Sequence, residues 1–359
     1  LQANYVGDGF TVVSGIYAYD GESCGHFDAI LGFLGRAAFS TPGLTREVTG
    51  CNNSKSTAAY IQSSIDITEQ LSVTVGGRYT KEEKKAYVKN GLAFSNVYPS
   101  DGWIPGYERG DVSFPQVLGT DSDGDGILDA PSKENWSQFT PRLGLEYQLD
   151  DDTMIFASYA QGFKSGTFNP RAETNESAAN PEIVDSIEFG IKKDWNDVLR
   201  TNVTLFSLDH KDRQYITITP DPDDLSVLNQ SLDNIKGSSV KGVEAEITWA
   251  TTENLNIDLS IGFLDAEIDA DPTLKDPLVG LSNTPDYTVN LAASYSMESD
   301  MGYFVFSGGY YYRDDYLLFE DSDSLLQEGY GTVNASVSWE SIEGNWYGGL
   351  HLKNLTDEE

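Results

Sequence analysis

Asp121, Asp123 and Asp125 alternate in the run DSDGDGILD at 121–129, the sharpest chemical motif of the chain. Alternate carboxylates on a tight turn can converge on one point, where a hard divalent cation offsets their mutual repulsion. The spacing matches positions 1, 3 and 5 of a calcium loop. Gly126 stands at the sharp turn, the Ile127 carbonyl at position 7 and Asp129 at position 9. Position 12 is Ser132 rather than the usual bidentate Glu, so the motif predicts a weak calcium site unless Glu134 or another loop adds an oxygen. Such an ion would stiffen a loop, not catalyse; a solvated acidic turn is the alternative.

Cys24 and Cys51 are the two cysteines, and no Cys or His cluster surrounds them. The pair reads better as a disulfide than as a metal site, with two unpaired thiols as the alternative. A bridge would constrain the segment between them, worth about 3 kcal/mol, and implies an oxidising compartment. His26, His210 and His351 are isolated on different segments. With no HExxH, GxSxG or glycine-rich phosphate loop, the sequence offers no convincing catalytic set.

The elements that must position these residues alternate between clipped turns and long breaks. Short polar connections fall at 7–9, 66–70, 150–153, 195–198, 251–254, 298–302 and 342–345. Between successive ones lie breaks near 20–57, 89–135, 165–181, 220–227, 268–284 and 314–327. Period-2 alternation is clear at 71–79, 255–263, 287–295 and 333–339; Leu255, Ile257, Leu259, Ile261 and Phe263, for example, interleave with Asn256, Asp258, Ser260 and Gly262. Such strands present one apolar and one polar face. Short turns on one side and long loops on the other describe an all-β, antiparallel up-and-down transmembrane β-barrel. About 14 strands are counted, with boundaries good to about two to four residues, and 198–219 and 227–250 read as single long strands. The segment 27–39 reads as a short amphipathic helix in the first break, and Tyr310, Tyr311 and Tyr312 as a bilayer-interface cluster.

Composition agrees. Mean hydropathy is −0.37 with 39% hydrophobic residues, and no apolar run approaches the roughly 18 residues of a transmembrane helix. A barrel exposes only alternate residues to lipid, so its hydropathy averages out. The 20 Tyr, 16 Phe and 6 Trp suit aromatic girdles. A net charge of −34, from 57 acidic and 23 basic residues, argues against nucleic-acid binding. The acid concentrates in the long breaks, as at Asp265, Glu267, Asp269 and Asp271. The opening LQANYVGDG carries no signal peptide, which suits a mature sequence or a fragment.

Several segments resemble the C-terminal half of TonB-dependent outer-membrane receptors. They are LSVTVGGRYTKEEKK (71–85), FTPRLGLEYQLDDDTMIFASYAQGFKSGTFN (139–169), PEIVDSIEFGIKKDW (181–195), KGVEAEITWATTENLNIDLSIGFLDAEI (241–268), NTPDYTVNLAASYS (283–296) and LKNLTDEE (352–359). The resemblance implies a 22-stranded barrel with an N-terminal plug, in the Gram-negative outer membrane. Residues 1–359 would then be a partial barrel domain, about 14 of those strands, with plug, TonB box and closing strand absent. It implies uptake of a scarce nutrient, most naturally a ferric siderophore, with energy from the TonB complex. Oligosaccharide or cobalamin uptake by the same family, and a passive porin or structural barrel, are the rivals. Expected partners are outer-membrane lipid, lipopolysaccharide and a small-molecule ligand. Aromatic loop residues could stack on that ligand, with girdle or loop packing as the alternative for each: Trp103, Tyr107, Phe163 and Phe168, with Arg109 pairing an anionic chelate.

Overall fold

The computed structural model describes residues 1–30, 44–94, 113–125, 127–172, 175–220, 228–272, 274 and 277–358. In chain order the strands are β1 (Gln2–Gly7), β2 (Phe10–Ile30), β3 (Leu44–Asp66), β4 (Leu71–Phe94), β5 (Ser113–Leu118), β6 (Ser132–Asp150) and β7 (Thr153–Lys164). There follow β8 (Glu182–Trp195), β9 (Leu199–Lys211), β10 (Arg213–Pro220), β11 (Leu228–Ile235), β12 (Ser238–Ala250) and β13 (Leu255–Ile268). The last are β14 (Tyr287–Ser299), β15 (Gly302–Arg313), β16 (Tyr316–Leu317), β17 (Leu326–Gln327), β18 (Tyr330–Glu340) and β19 (Tyr347–Leu352).

The wall runs β1-β2-β3-β4-β6-β7-β8-β9-β12-β13-β14-β15-β18-β19, and β5, paired to the outer end of β4, makes it a 15-stranded sheet. Every neighbour pair in this path is antiparallel. This is the expected meander. The sheet is open, since β1 and β19 are not partners. Its short turns all fall at one end, and several demand left-handed backbone. Gly302 sits at φ +126°, and a Cβ there would come within 2.1 Å of the Glu340 carbonyl oxygen, so only glycine fits this turn.

Register fixes two faces. Across the sheet Ile65 pairs with Val73, Val73 with Leu145, Leu145 with Ala157 and Ile155 with Ile191. Phe189 pairs with Leu205, Leu205 with Val243, Val243 with Phe263, and Leu259 with Leu291. This continuous apolar face leaves Ile187 59% and Leu205 48% exposed, which in a wall of this kind is the lipid face. Aromatic residues bound it. Trp249 and Trp339 lie near the short turns, and Tyr79, Phe139, Tyr287 and Tyr312 at the far side, where the last two rings stack at 5.4 Å. Phe304 and Tyr312 are separated along β15 by roughly 27 Å, about the height of the apolar band. The opposite parity carries Ser72, Thr74, Arg78, Glu188, Glu244, Glu246 and Asp258, a hydrated lumen. Tyr310 and Tyr312 take the lipid face, but Tyr311 pairs with Asn290 and faces the lumen, so only two of the three mark an interface.

Five sequence expectations change. The break at 20–57 is largely strand: β2 and β3 stay paired from Phe10–Ile65 out to Ile30–Thr45. The expected helix therefore fails at 27–30, where Phe27 pairs with Val48, and the rest of it lies outside the described residues. The run 198–219 is broken by Asp212 at φ 53°, which ends β9 and starts a separate hairpin. That hairpin, β10–β11, takes the first part of 227–250 as well, and β12 resumes the wall. The break at 314–327 contains the small β16–β17 pair.

Cys24 and Cys51 face each other across β2 and β3 and form a disulfide. Its loss should loosen the outer hairpin by about 3 kcal/mol. Reduction is therefore expected to speed amide exchange in 21–30 and 44–54 by roughly 100-fold, leaving β12–β14 unchanged. Equal exchange in oxidised and reduced protein would contradict that.

Candidate functional site at the external mouth

The long connections gather at the end opposite the short turns, and one of them folds inward. Of the connection after β7, the described residues 165–172 and 175–181 tuck against the lumen face of β3, β4 and β5. Phe168 and Ala172 pack on Val48, Ala86, Val88 and Leu118, the main buried apolar cluster among the described residues. Asn90, 1% exposed, joins loop to wall: it accepts from Arg46 Nε at 3.1 Å and donates to the Arg171 carbonyl at 3.0 Å. The Arg171 guanidinium lies 5.0 Å from the centre of the Phe27 ring. Arg171, Pro170, Phe27, Ser23, Asn52 and Val48 help line a cavity of about 360 Å³ beneath this loop.

The β10–β11 hairpin clamps the loop in place. Gln214 Nε2 donates to the carbonyls of Ser165 and Asn180, each at 2.9 Å. Asn234 Nδ2 donates to the Asn180 carbonyl at 3.0 Å, and buried Asn169 donates to that of Gln230 at 2.9 Å. Thr167 and Ala179 bridge the loop's own base. The hairpin is held in turn by Arg213, whose Nη2 donates to both Glu320 oxygens at 2.6 and 2.8 Å. Both side chains are nearly buried, at 12% and 11% exposure. Burial, then the Asp321 and Glu320 carboxylates, pushes the neighbouring Tyr215 phenol upward. The Val279 amide donates to the Glu320 carbonyl at 2.8 Å and the Asn283 amide to the Leu317 carbonyl at 2.9 Å. Arg313 stacks 3.8 Å from the Tyr316 ring centre. Four of the long connections are thereby one linked assembly.

Charge is distributed unevenly on the lumen wall. Arg46, Arg78, Lys84, Arg142 and Lys164 face inward on β3, β4, β6 and β7, among Glu82, Glu134 and Glu146. Arg78 lies over the Tyr17 and Tyr60 rings, 5.3 and 5.9 Å from their centres. On β12 and β13 the inward face carries Glu244, Glu246 and Asp258 without a Lys or Arg. The outer face beyond the far aromatic ring is also charged, with pairs Asp20–Lys55, Glu83–Lys133 and Asp185–Lys211 at 3.0, 2.7 and 2.7 Å.

The acidic motif forms a small closed loop between β5 and β6. Thr120 and Ala130 bridge its neck. One carboxylate oxygen each from Asp121, Asp123 and Asp129 lies within 4.8 Å of the others. Asp125 instead accepts the Ile127 amide at 2.7 Å, and Gly126 lies outside the described residues. Asp129 accepts from the hydroxyl and amide of Ser122, which hold its carboxyl below the usual range. Ser132 donates to Asn175, and Glu134 faces the lumen, so neither completes the set in this arrangement.

The ligand-contact residues expected from the sequence separate. Phe168 is buried in the loop core at 5% exposure, and Phe163 pairs with Ile183 on the outer face. Trp103, Tyr107 and Arg109 lie outside the described residues. Sequence reading missed Phe27, Arg171, Gln214, Arg213 and Glu320. Lumen parity could have flagged Arg46, Arg78 and Lys84; nothing local signals the loop contacts.

An open antiparallel wall with a lipid-facing apolar band, a polar lumen and interlocked external loops is an outer-membrane β-barrel of the Gram-negative type. The chain belongs to the TonB-dependent receptor family: the model described as "TonB dependent receptor-like, beta-barrel" matches residues 4–355. Among curated proteins it is 25% identical over 241 residues to the ferric-pyoverdine M114 receptor PbuA of Pseudomonas sp. (strain M114), covering 64% of this chain and 27% of that protein. The fold matches the ferric yersiniabactin uptake receptor FyuA from Yersinia pestis with a TM-score of 0.74 at 17% identity, over 99% of this chain and 48% of that one. It also matches the siderophore receptor PiuA from Acinetobacter baumannii, with a TM-score of 0.65 at 17% identity, over 99% and 50%. The chain thus spans about a quarter of the curated relative and about half of these solved chains.

Proposed function

We propose that this barrel is the wall of a receptor, not an enzyme, that binds a ferric siderophore at its outer mouth and passes it inward with energy delivered through TonB. The observation that carries this reading is the cavity under the inward loop, where Arg171 stacks on Phe27 in a protein of net charge −34. A guanidinium over an aromatic ring suits an anionic chelate with planar groups. Arg46, Lys84 and Lys164 extend that basic character along the same wall. The ferric-pyoverdine receptor among its relatives supports the same ligand class. Uptake of oligosaccharide or cobalamin has no need of this cationic wall. A passive porin needs an open mouth, whereas Phe168 and Ala172 plant a loop in this one. In the full-length protein, Arg171→Ala is expected to weaken binding of anionic ferric siderophores by about tenfold to 100-fold, as measured by fluorescence quenching. Unchanged binding of a siderophore the wild type takes up would refute the assignment of this cavity.

We also propose that Asp121, Asp123 and Asp129 hold calcium weakly. Three converging carboxylates favour a hard cation, and the missing bidentate Glu limits affinity. Calorimetric titration should give calcium binding that disappears in Asp121→Ala plus Asp123→Ala; identical traces would end the idea. The lysines of the outer charged belt, Lys55, Lys133 and Lys211 among them, are proposed to meet lipopolysaccharide phosphates.

A further inference from the structure

We propose that Arg78 and Arg142, with Tyr17 and Tyr60, form a second, inner station for an anionic ligand with planar rings, in the throat of the lumen below the mouth. The station rests on the ligand class proposed above, but not on the Arg171 cavity. Strand register assembles the four side chains. Arg78 on β4 stands opposite Tyr60 on β3, and Arg142 on β6 stands opposite Gly76, two residues along β4 from Arg78. The arginines are therefore diagonal neighbours on the lumen face, about 7–8 Å apart at the backbone. The Arg78 guanidinium lies 5.3 Å from the centre of the Tyr17 ring and 5.9 Å from that of Tyr60. Tyr17 is 45% exposed, so much of its ring is open to the lumen.

No described residue neutralises the two cations. Like charges set this close repel, yet the residues beside them on this face, Gln62, Gly76, Thr80, Thr140 and Ala160, are uncharged. The nearest acids along the two strands, Glu82 and Glu146, are four residues away, about 13 Å. Arg78 uses one donor internally, from Nε to Thr80 Oγ1 at 3.0 Å. Its terminal nitrogens and the whole Arg142 guanidinium make no hydrogen bond or ion pair with a described residue. Tyr60 is fixed separately, its hydroxyl donating to Gln2 Oε1 at 2.9 Å. Two guanidinium forks thus stand ready beside two aromatic rings. Carboxylate or catecholate oxygens fit the forks, and planar groups fit the rings.

Position separates this station from the mouth. Tyr79 and Phe139, adjacent to Arg78 and Thr140 but on the lipid face, belong to the far aromatic ring, so the pair lies where the lumen enters the bilayer. Asn90, which joins the inward loop to the wall, is twelve residues further out on β4, about 40 Å along the strand. Lys84 stands midway on the same face. A ligand leaving Arg171 would meet Lys84 and then the two arginines on its way inward.

The test is equilibrium dialysis of the full-length protein in detergent against the radioiron complex of a synthetic hexadentate tris-catecholate, a trianion with three planar rings. Wild type is expected to hold two complexes per chain. Arg78→Gln plus Arg142→Gln should lose the inner one, or weaken it by about tenfold or more, and keep the outer one, which also shows the variant to be folded. Arg171→Ala should do the reverse. A complex count and affinity that the double variant leaves unchanged would overturn the inner station, whatever Arg171→Ala does. Loss in the double variant with none in Arg171→Ala would keep the station and remove the mouth cavity as a site. Should the double variant fail to fold, wild type still decides. The complex is expected to protect Arg78 and Arg142 from phenylglyoxal. Equal labelling with and without it would overturn the proposal. So would arginines unreactive from the start, because another segment of the full-length chain then occupies them.

Discussion

Glu320→Ala is expected to release the β10–β11 hairpin from the loop assembly at a cost of about 3–5 kcal/mol, because it leaves Arg213 buried without its counter-charge. The pair is nearly inaccessible, and a single guanidinium nitrogen serves both Glu320 oxygens. A solvent-exposed ion pair would be worth under about 1 kcal/mol, so the effect depends on burial. The loss should appear as faster amide exchange in β10 and β11, by roughly 100-fold or more, with wall strands unchanged. It should propagate to residues 165–181, since Gln214 and Asn234 hold that loop from the hairpin. Replacing both partners, as Arg213→Met plus Glu320→Leu, should recover most of the loss, because no charge is then left buried. A double variant as loose as Glu320→Ala alone would show that the hairpin needs the ion pair itself and not merely charge balance. Exchange in Glu320→Ala equal to wild type would remove the pair from the account.

The second large effect separates the two faces of the wall. Leu259 lies near the middle of the apolar band, opposite Ile247 on one side and Leu291 on the other. Leu259→Arg should destabilise the barrel by about 2–4 kcal/mol, the cost of a cation near the bilayer midplane. Ser260→Arg, one residue along, enters the lumen between Glu246 and Asn290 and should cost under about 1 kcal/mol. Urea titration of protein folded into lipid vesicles measures both. Equal losses at the two positions would mean that the register does not sort lipid from lumen.

The sequence showed the wall plainly where lipid selects it. Between the aromatic rings each second residue must be apolar, so 71–79 and 255–263 announce themselves. Beyond the bilayer that selection ends. GESCGH and GCNNSKS, at 21–26 and 50–56, pair as strand without an apolar alternation, and so read as loop. Asp212 ends a strand through a left-handed conformation that aspartate tolerates but does not advertise. The disulfide was legible because two cysteines leave one pairing. In the acidic motif, oxygens of Asp121, Asp123 and Asp129 converge, whereas Asp125 lies outside that group and accepts the Ile127 amide. The mouth was hidden for a different reason. Asn90 to Arg171 and Arg213 to Glu320 join residues 81 and 107 positions apart, and no local pattern records such contacts.

Energy-coupled uptake of an anionic ferric siderophore is tested by radioiron uptake in cells carrying the full-length protein. A panel of anionic ferric siderophores, with cobalamin and maltooligosaccharide as contrasts, should give saturable iron uptake from at least one siderophore. That uptake should stop when a protonophore collapses the inner-membrane gradient, and should fall in Arg171→Ala. Uptake that persists unsaturated under the protonophore, or import confined to cobalamin or oligosaccharide, would contradict the account.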